Sequence, residues 1–325
     1  MRVKILTIGG AVQDIIFQAP QAIIINNNGD VFRNKLLAFE YGAKIKIDQA
    51  VFQGGGGANN LAVGLTKLGF KASPLVAVGQ DEVGQAFIRA WRKLRISTSK
   101  VQIFKELATD FSVVIVGGKR NDHTVFSYRG VSEKLDIRDK DLAGFDWLYL
   151  TSLSGENREK NLSTIHNFLT NQPKVRLVFN PGQTDLSVNF RLSRRLIKIS
   201  SILCLNRDEA QELASQISGQ KIAMDYHDLF KTIFLVGSKL VVITDGEHGA
   251  RAYDGKNFYF ARAKEVKKVV DTTGAGDAFG AAFLASLIID PSRISLALKR
   301  GIRNGSLVIK KFGAQIGLGN KKQIF

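Results

Sequence analysis

The chain alternates short apolar runs with longer stretches whose apolar residues recur at helical spacing. Runs at residues 3–8, 75–78, 147–150, 175–179, 202–205 and 240–244 predict strands, and their near-unbroken hydrophobicity predicts burial on both faces. Helical spacing predicts helices over residues 58–68, 84–94, 160–169, 208–217, 276–289 and 291–311. From about Pro74 onward strand and helix take turns, the pattern of crossover units around a parallel sheet. Two regions break that rhythm. Residues 17–53, with Asn26-Asn27-Asn28-Gly29-Asp30 at a turn, and residues 111–129, around Gly117-Gly118 and Asn121-Asp122, predict hairpins outside the main sheet. Such hairpins either cover a cleft or decorate an edge. No internal repeat and no low-complexity linker interrupts the chain.

Composition narrows the class. Hydrophobic residues make up 45% and charged residues 23% of the 325, a globular balance that excludes disordered, collagenous and disulfide-scaffold classes. The lone Cys204 can form neither an internal disulfide nor a cysteine-based zinc site, so a reducing cytoplasm is the expected compartment. Gly9-Gly10 and Gln13-Asp14 interrupt the first apolar stretch before a signal-peptide core develops. The longest later run, residues 278–289, falls short of the roughly 20 residues that a membrane helix needs, so no membrane association is expected. Lys and Arg total 46 against 29 Asp and Glu, a formal net charge of +17, which suits nucleic acid, anionic membranes or phosphorylated ligands. The basic residues fall in dispersed pairs (Arg194-Arg195, Lys267-Lys268, Lys310-Lys311, Lys321-Lys322) without the interleaved aromatics of a strand-binding groove. A solvated basic surface that focuses an anionic substrate fits better than nucleic acid.

Two glycine constellations carry candidate chemistry. Asp271-Thr272-Thr273-Gly274-Ala275-Gly276-Asp277 stands immediately before the apolar run 278–289, which places its glycines at a helix N-terminus, an anion site. Asp277 is either a base beside a phosphate cradle or a cap that complements the helix dipole. Neither a GxxxxGK(S/T) loop nor a protein-kinase His-Arg-Asp segment is present. In Gly54-Gly55-Gly56-Gly57-Ala58-Asn59-Asn60, the four glycines let backbone approach a ligand, and the Asn59 carboxamide can both donate to and accept from a sugar hydroxyl. The plainer reading is a turn whose Asn caps the following helix.

Together and in this order, GGGGANNLAVGLTKLG with VGQDEVG, and DTTGAGDAFGAAF, resemble the N- and C-terminal signatures of the ribokinase/PfkB carbohydrate kinases across nearly the whole chain. The resemblance implies one domain over residues 1–325: a three-layer αβα sandwich with a central, mostly parallel sheet and a small β-strand lid from segments 17–53 and 111–129. It implies transfer of the γ-phosphate of ATP, with magnesium, to a hydroxyl of a sugar or related small molecule. Asp277 matches the family's catalytic base, and the backbone of Gly274, Ala275 and Gly276 its anion hole. Asp14 corresponds to the acid that binds substrate hydroxyls, while Asn59 and the Gly55 backbone fall on sugar-contacting positions.

Asn206-Arg207-Asp208-Glu209 is similar to the family's Asn-x-x-Glu element, putting Asn206 by the nucleotide and Glu209 on magnesium through water. The same four residues also read as an ordinary helix start. Thr244, Gly246 and Gly249 match the nucleotide-binding turn, within which His248 reads as an exposed loop residue. Asp271 and Thr273, supported by Gly313-Ala314-Gln315, match positions that hold a monovalent cation such as K+. Departures from the pattern concern the acceptor. Gly56 stands where ribokinases carry Lys, Tyr128-Arg129-Gly130-Val131-Ser132 replaces Arg-Gly-Ala-Asn, and residues 152–154 offer hydroxyls before Glu156 instead of an acid. Ribose or fructose is the first expectation, followed by 2-keto-3-deoxygluconate, nucleosides and sugar phosphates; Arg129 would meet an acidic substrate. A non-catalytic nucleotide- or sugar-binding protein is the alternative of another class, against which the intact Asp277 argues. Exposed hairpin edges make a homodimer through the lid an expectation too.

Overall fold

The computed structural model describes residues 3–26, 35–47, 49–117, 122–187, 190–220 and 225–325, and an eight-stranded sheet forms its centre. Lys71–Leu75, Lys4–Ile8, Trp147–Leu150, Arg176–Phe179, Ile202–Asn206 and Val241–Thr244 run parallel, in that spatial order. Ala250–Tyr253 and Phe258–Ala261 complete the far edge antiparallel. Strand alternation explains the unbroken apolar runs. Ile5, Tyr149, Val178, Cys204 and Val242 pack into one core with the helices Gly57–Lys67, Ala275–Ile289 and Ile294–Val308. Their neighbours Leu6, Leu148, Leu177, Leu203 and Val241 pack into a second core with Arg158–Asn171, Phe190–Ile199, Arg207–Ser218 and Tyr226–Phe234. Helices on both faces make the expected three-layer αβα sandwich. Among the described residues no helix is long and apolar enough to cross a membrane.

Several elements differ from the sequence expectation. The apolar run 75–78 is not one strand: Lys71–Leu75 lies at the edge of the large sheet, and Ala77–Gly79 pairs with Gln102–Phe104. Pro74 has no N–H to give a ladder, which suits it to the edge position. The helix predicted from residue 291 begins at Ile294, because Asp290 accepts from the Ser292 N–H and hydroxyl and fixes a turn there. The helices Phe190–Ile199 and Tyr226–Phe234 and the two antiparallel edge strands were not anticipated.

A second, four-stranded sheet is built from Asp122–Tyr128, Phe111–Gly117, Val12–Gln18 and Ala50–Gly55. Its register gives the two faces different chemistry. Gln53, Asp14, Ser112 and Ser127 stand opposite one another in one row, and Phe52, Ile15, Val113 and Phe126 in the next. Successive rows point to opposite faces, so the polar row turns one way and the apolar row the other. Phe52 and Phe126 are 65% and 59% exposed. Asn27 to Asp30 of the anticipated turn, and Gly118 and Asn121, lie outside the described residues.

Candidate functional site

The parallel strands deliver the residues that follow them to one cleft at their carboxyl ends, where open α/β sheets place ligands. Gly9 and Gly10 follow the first strand, Thr151 to Ser154 the Trp147–Leu150 strand, and Asn180 to Gly182 the Arg176–Phe179 strand. Asp14 and Ser112, from the polar row of the second sheet, bound the same cavity of about 460 Å3.

Asp277 enters this cavity from the first turn of the helix Ala275–Ile289. The Asn60 side chain donates to its Oδ2 at 2.8 Å, and Gln315 in turn donates to Asn60 Oδ1 at 2.9 Å. Burial raises the Asp277 carboxyl to about 6. Asp14 is likewise raised to about 6, by burial and then by the nearby charge of Asp271, against the pull of Arg129 and a hydrogen bond from Ser112. Two carboxyl groups held above their ordinary range in one cleft are a functional signature. Gly55 makes room for Asp14: a Cβ there would stand 2.0 Å from Asp14 Oδ2.

Asn59 does not present its carboxamide to the cavity. It is 2% exposed, donates to the Gly55 carbonyl at 3.0 Å, and accepts from the Trp91 indole at 2.8 Å. Its neighbour Asn60 lines the cavity instead, because it shares a helix face with Gly64, whose missing Cβ allows close approach to Ala281 of the Ala275–Ile289 helix. Helical spacing relative to Gly64 was the signal for this difference.

At the start of that helix, Gly274 is left-handed (φ 75°), and a Cβ there would meet Ala314 Cβ at 2.3 Å. The Ala275 N–H is engaged by the Thr272 carbonyl at 3.2 Å. Gly276 has nothing within 4 Å of where a Cβ would stand, so open space lies directly beside the first-turn N–H groups, which have no intrahelical partner. Asp271 is engaged in shaping the loop: one carboxylate oxygen accepts from the Thr273 N–H and hydroxyl, the other from the Gly313 N–H at 2.8 Å.

A smaller cavity of about 170 Å3 adjoins, lined by Asn180, Asn206, Glu209, Thr244 and Gly276 among others. Asn206 and Glu209 form a reciprocal capping box at 2.8 Å each way, the ordinary helix start that the sequence also allowed. Glu209 nevertheless borders both cavities, and burial, with the charges of Asp208, Asp185 and Glu212, raises it to about 7. Gly246 and Gly249 line neither cavity; they shape the turn after Thr244, closed by a 2.8 Å bond from Asp245 N–H to the Gly249 carbonyl. Asn60, Ser112, Ser132, Thr151, Asn180 and Thr184 line the main cavity, and none of them was assigned a binding role from the sequence. Thr151 and Asn180 carried a signal, since each directly follows a buried strand. Ser132 stands where the family's motif has Asn, which was its signal; Ser112 and Thr184 carried none that short-range pattern could reveal.

The chain matches the pfkB family carbohydrate kinase model over residues 28–321. It belongs to that family. This carbohydrate kinase is 27% identical over 259 residues to an uncharacterized sugar kinase of Archaeoglobus fulgidus, spanning 79% of this chain and 98% of that protein. Its fold matches the nucleoside kinase of Methanocaldococcus jannaschii with a TM-score of 0.78 at 22% identity, covering 100% of this chain and 97% of that one. The Arabidopsis thaliana ribokinase complexed with ribose and ATP superposes equally well, with a TM-score of 0.78 at 17% identity over 100% and 98% of the two chains. The kinase thus shares one fold with enzymes that act on a sugar and on nucleosides.

Proposed function

We propose that this kinase moves the γ-phosphate of ATP to a hydroxyl of a neutral sugar, with ribose or fructose favoured and Asp277 as the base. The observation that carries the reading is the pairing, at one helix N-terminus, of Asp277 in the hydroxyl-rich cleft with the open space at Gly276 in the smaller adjoining cavity. The helix dipole and the first-turn N–H groups favour phosphate there. Asn60 holds one oxygen of Asp277, and the other takes the acceptor's proton as its oxygen bonds to phosphorus and ADP leaves.

The main cavity's lining favours a sugar over a nucleoside. Among the described residues it includes no aromatic side chain to stack a base, but Ser112, Ser132, Thr151, Ser152, Ser154 and Thr184 supply hydroxyls. Among the described residues Arg129 is its only cation, and it stands 3.5 Å from the buried Asp110, with Asp14 also nearby. Its charge is therefore already matched, which favours a neutral acceptor over an acidic one.

Glu209 suits magnesium: a single carboxylate that borders both cavities fits a cation that keeps most of its waters and binds substrate phosphates. Bound there, magnesium would neutralise charge on the transferring phosphate. Both Asp271 oxygens already serve N–H and O–H donors, so no step is assigned to a monovalent cation. The apolar row on the outer face of the four-stranded sheet, with Phe52 and Phe126 exposed, supports a homodimer through the lid.

ADP release with ATP and magnesium across ribose, fructose, 2-keto-3-deoxygluconate, adenosine and hexose phosphates tests the reading. Activity is expected on a neutral sugar, and exclusive activity on a nucleoside or an acidic sugar would overturn the assignment. Since Asp277 and Asp14 must both be ionised, kcat/KM should fall as pH drops through about 6. A pH profile that stays flat down to the ordinary carboxylate range contradicts it. Gly276→Ala offers a further contrast. The added methyl meets no protein atom within 4 Å, so thermal stability should hold, yet transfer should fall by about tenfold or more because the methyl occupies the phosphate's space. Unchanged ATP kinetics in this variant would remove the anion site.

A further inference from the structure

A separate cavity of about 400 Å3 lies behind the turn at Asp245 to Gly249. Strand alternation puts it on the sheet face opposite the transfer site. Ala250 and Ala252 pack into the core shared with the helices Ala275–Ile289 and Ile294–Val308. Arg251 and Tyr253 therefore point the other way, where Tyr253 meets the rings of Phe230 and Phe234. None of the residues lining this cavity borders either cavity described above.

Arg251 dominates the space. Its guanidinium lies 3.8 Å from the ring centroid of Tyr226 and 4.6 Å from that of Phe260. Rings cover the faces of the group, whereas all its N–H donors lie in its plane. Among the described residues Arg251 has no carboxylate partner, and its Nη1 is buried without a hydrogen-bond acceptor. Arg207 is placed differently: it pairs with Asp245 Oδ2 at 3.3 Å, and that carboxylate also accepts from the Tyr226 hydroxyl. The remaining acid in the lining, Glu247, has a side chain 90% exposed and directed to His248. Arg262 adds an exposed second cation.

A half-buried guanidinium that has no carboxylate partner and one buried N–H group without an acceptor is under-satisfied, which is costly. A phosphate supplies both, and its oxygens match the edge of a guanidinium bidentately. The ring packing holds that edge ready, so little conformational entropy is lost on binding. We propose that this cavity binds a phosphate group, with Arg251 as the in-plane donor and Arg262 closing over it.

Equilibrium dialysis of labelled inorganic phosphate against the full chain, at constant ionic strength, tests this directly. A saturating non-hydrolysable ATP analogue with magnesium keeps phosphate out of the transfer site. One phosphate per chain is expected, weakened about tenfold or more in both Arg251→Gln and Arg262→Gln and unaltered in Lys256→Gln. Arg262 is exposed, so its variant keeps the experiment decisive even if Arg251→Gln fails to fold. Competition by glycerol phosphate would assign the site to phosphate esters, and its failure to free phosphate. Retention that survives in both arginine variants, displacement of the label by the ATP analogue, or no retention at millimolar phosphate would each overturn the proposal. The readout is phosphate held by the chain, so it stands or falls independently of whether any sugar is phosphorylated.

Discussion

Asp277→Asn is expected to lower kcat by about 10²- to 10⁴-fold while ATP binding and the fold survive. The substitution keeps an oxygen that can accept the Asn60 N–H at 2.8 Å, so the local geometry persists and only the proton acceptor is lost. Stability should not suffer. Burial raises the Asp277 carboxyl to about 6, above its value in an unfolded chain, so the folded protein prefers the protonated form. That preference stabilises the fold at low pH and is lost as pH rises through about 6, leaving a buried charge at neutral pH. Removing the charge is expected to leave the melting temperature at pH 7 equal or higher, a stability cost that wild type accepts for function. Single-turnover transfer, nucleotide binding and thermal melts, measured side by side, separate the possibilities. A variant that retains kcat within tenfold of wild type would show that Asp277 only caps its helix.

The largest expected effect on the acceptor side comes from Gly55→Ala. Its methyl would stand 2.0 Å from Asp14 Oδ2 and 2.8 Å from Asp14 Cγ, a distance no pair of atoms tolerates. Asp14 is 7% exposed and cannot swing freely into solvent, so the carboxylate must shift within the cleft. Losing one hydrogen bond to a charged group corresponds to about 1.5–3 kcal/mol, or a KM for the sugar raised about 10- to 100-fold. The KM for ATP should hardly change, because the helix N-terminus at Gly276 belongs to a different element. Equal increases in both KM values would instead point to general disruption of the cleft and count against Asp14 as the hydroxyl-binding group.

Five of the parallel strands, all but Lys71–Leu75, were readable because burial on both faces demands apolar residues at nearly every position, a constraint that acts locally on the sequence. The helix Phe190–Ile199 escaped notice because Arg191, Arg194 and Arg195 crowd its short sequence, which leaves Ser193, Leu196 and Ile197 fully buried and Phe190, Leu192 and Ile199 half-buried against the core. The edge strands Ala250–Tyr253 and Phe258–Ala261 alternate in burial, and one of them leaves Phe258 and Phe260 in solvent, so neither shows the unbroken apolar run of a central strand.

The glycine motifs, and through them the family, were likewise carried by sequence, since the left-handed backbone and close packing at that helix start demand small residues in consecutive positions. Which of two adjacent asparagines faces the cleft was decided by the packing of one helix against another, with Trp91 claiming Asn59 and Asp277 claiming Asn60. The main cavity was assembled the same way, from hydroxyls that follow separate strands and from a polar row whose facing depends on the register of a second sheet. Local sequence determined most of the strands and the glycine-rich helix start because the forces there act between near neighbours. Tertiary structure alone chose the groups that line the cleft, since they come from different segments and converge only when the sheets and helices pack.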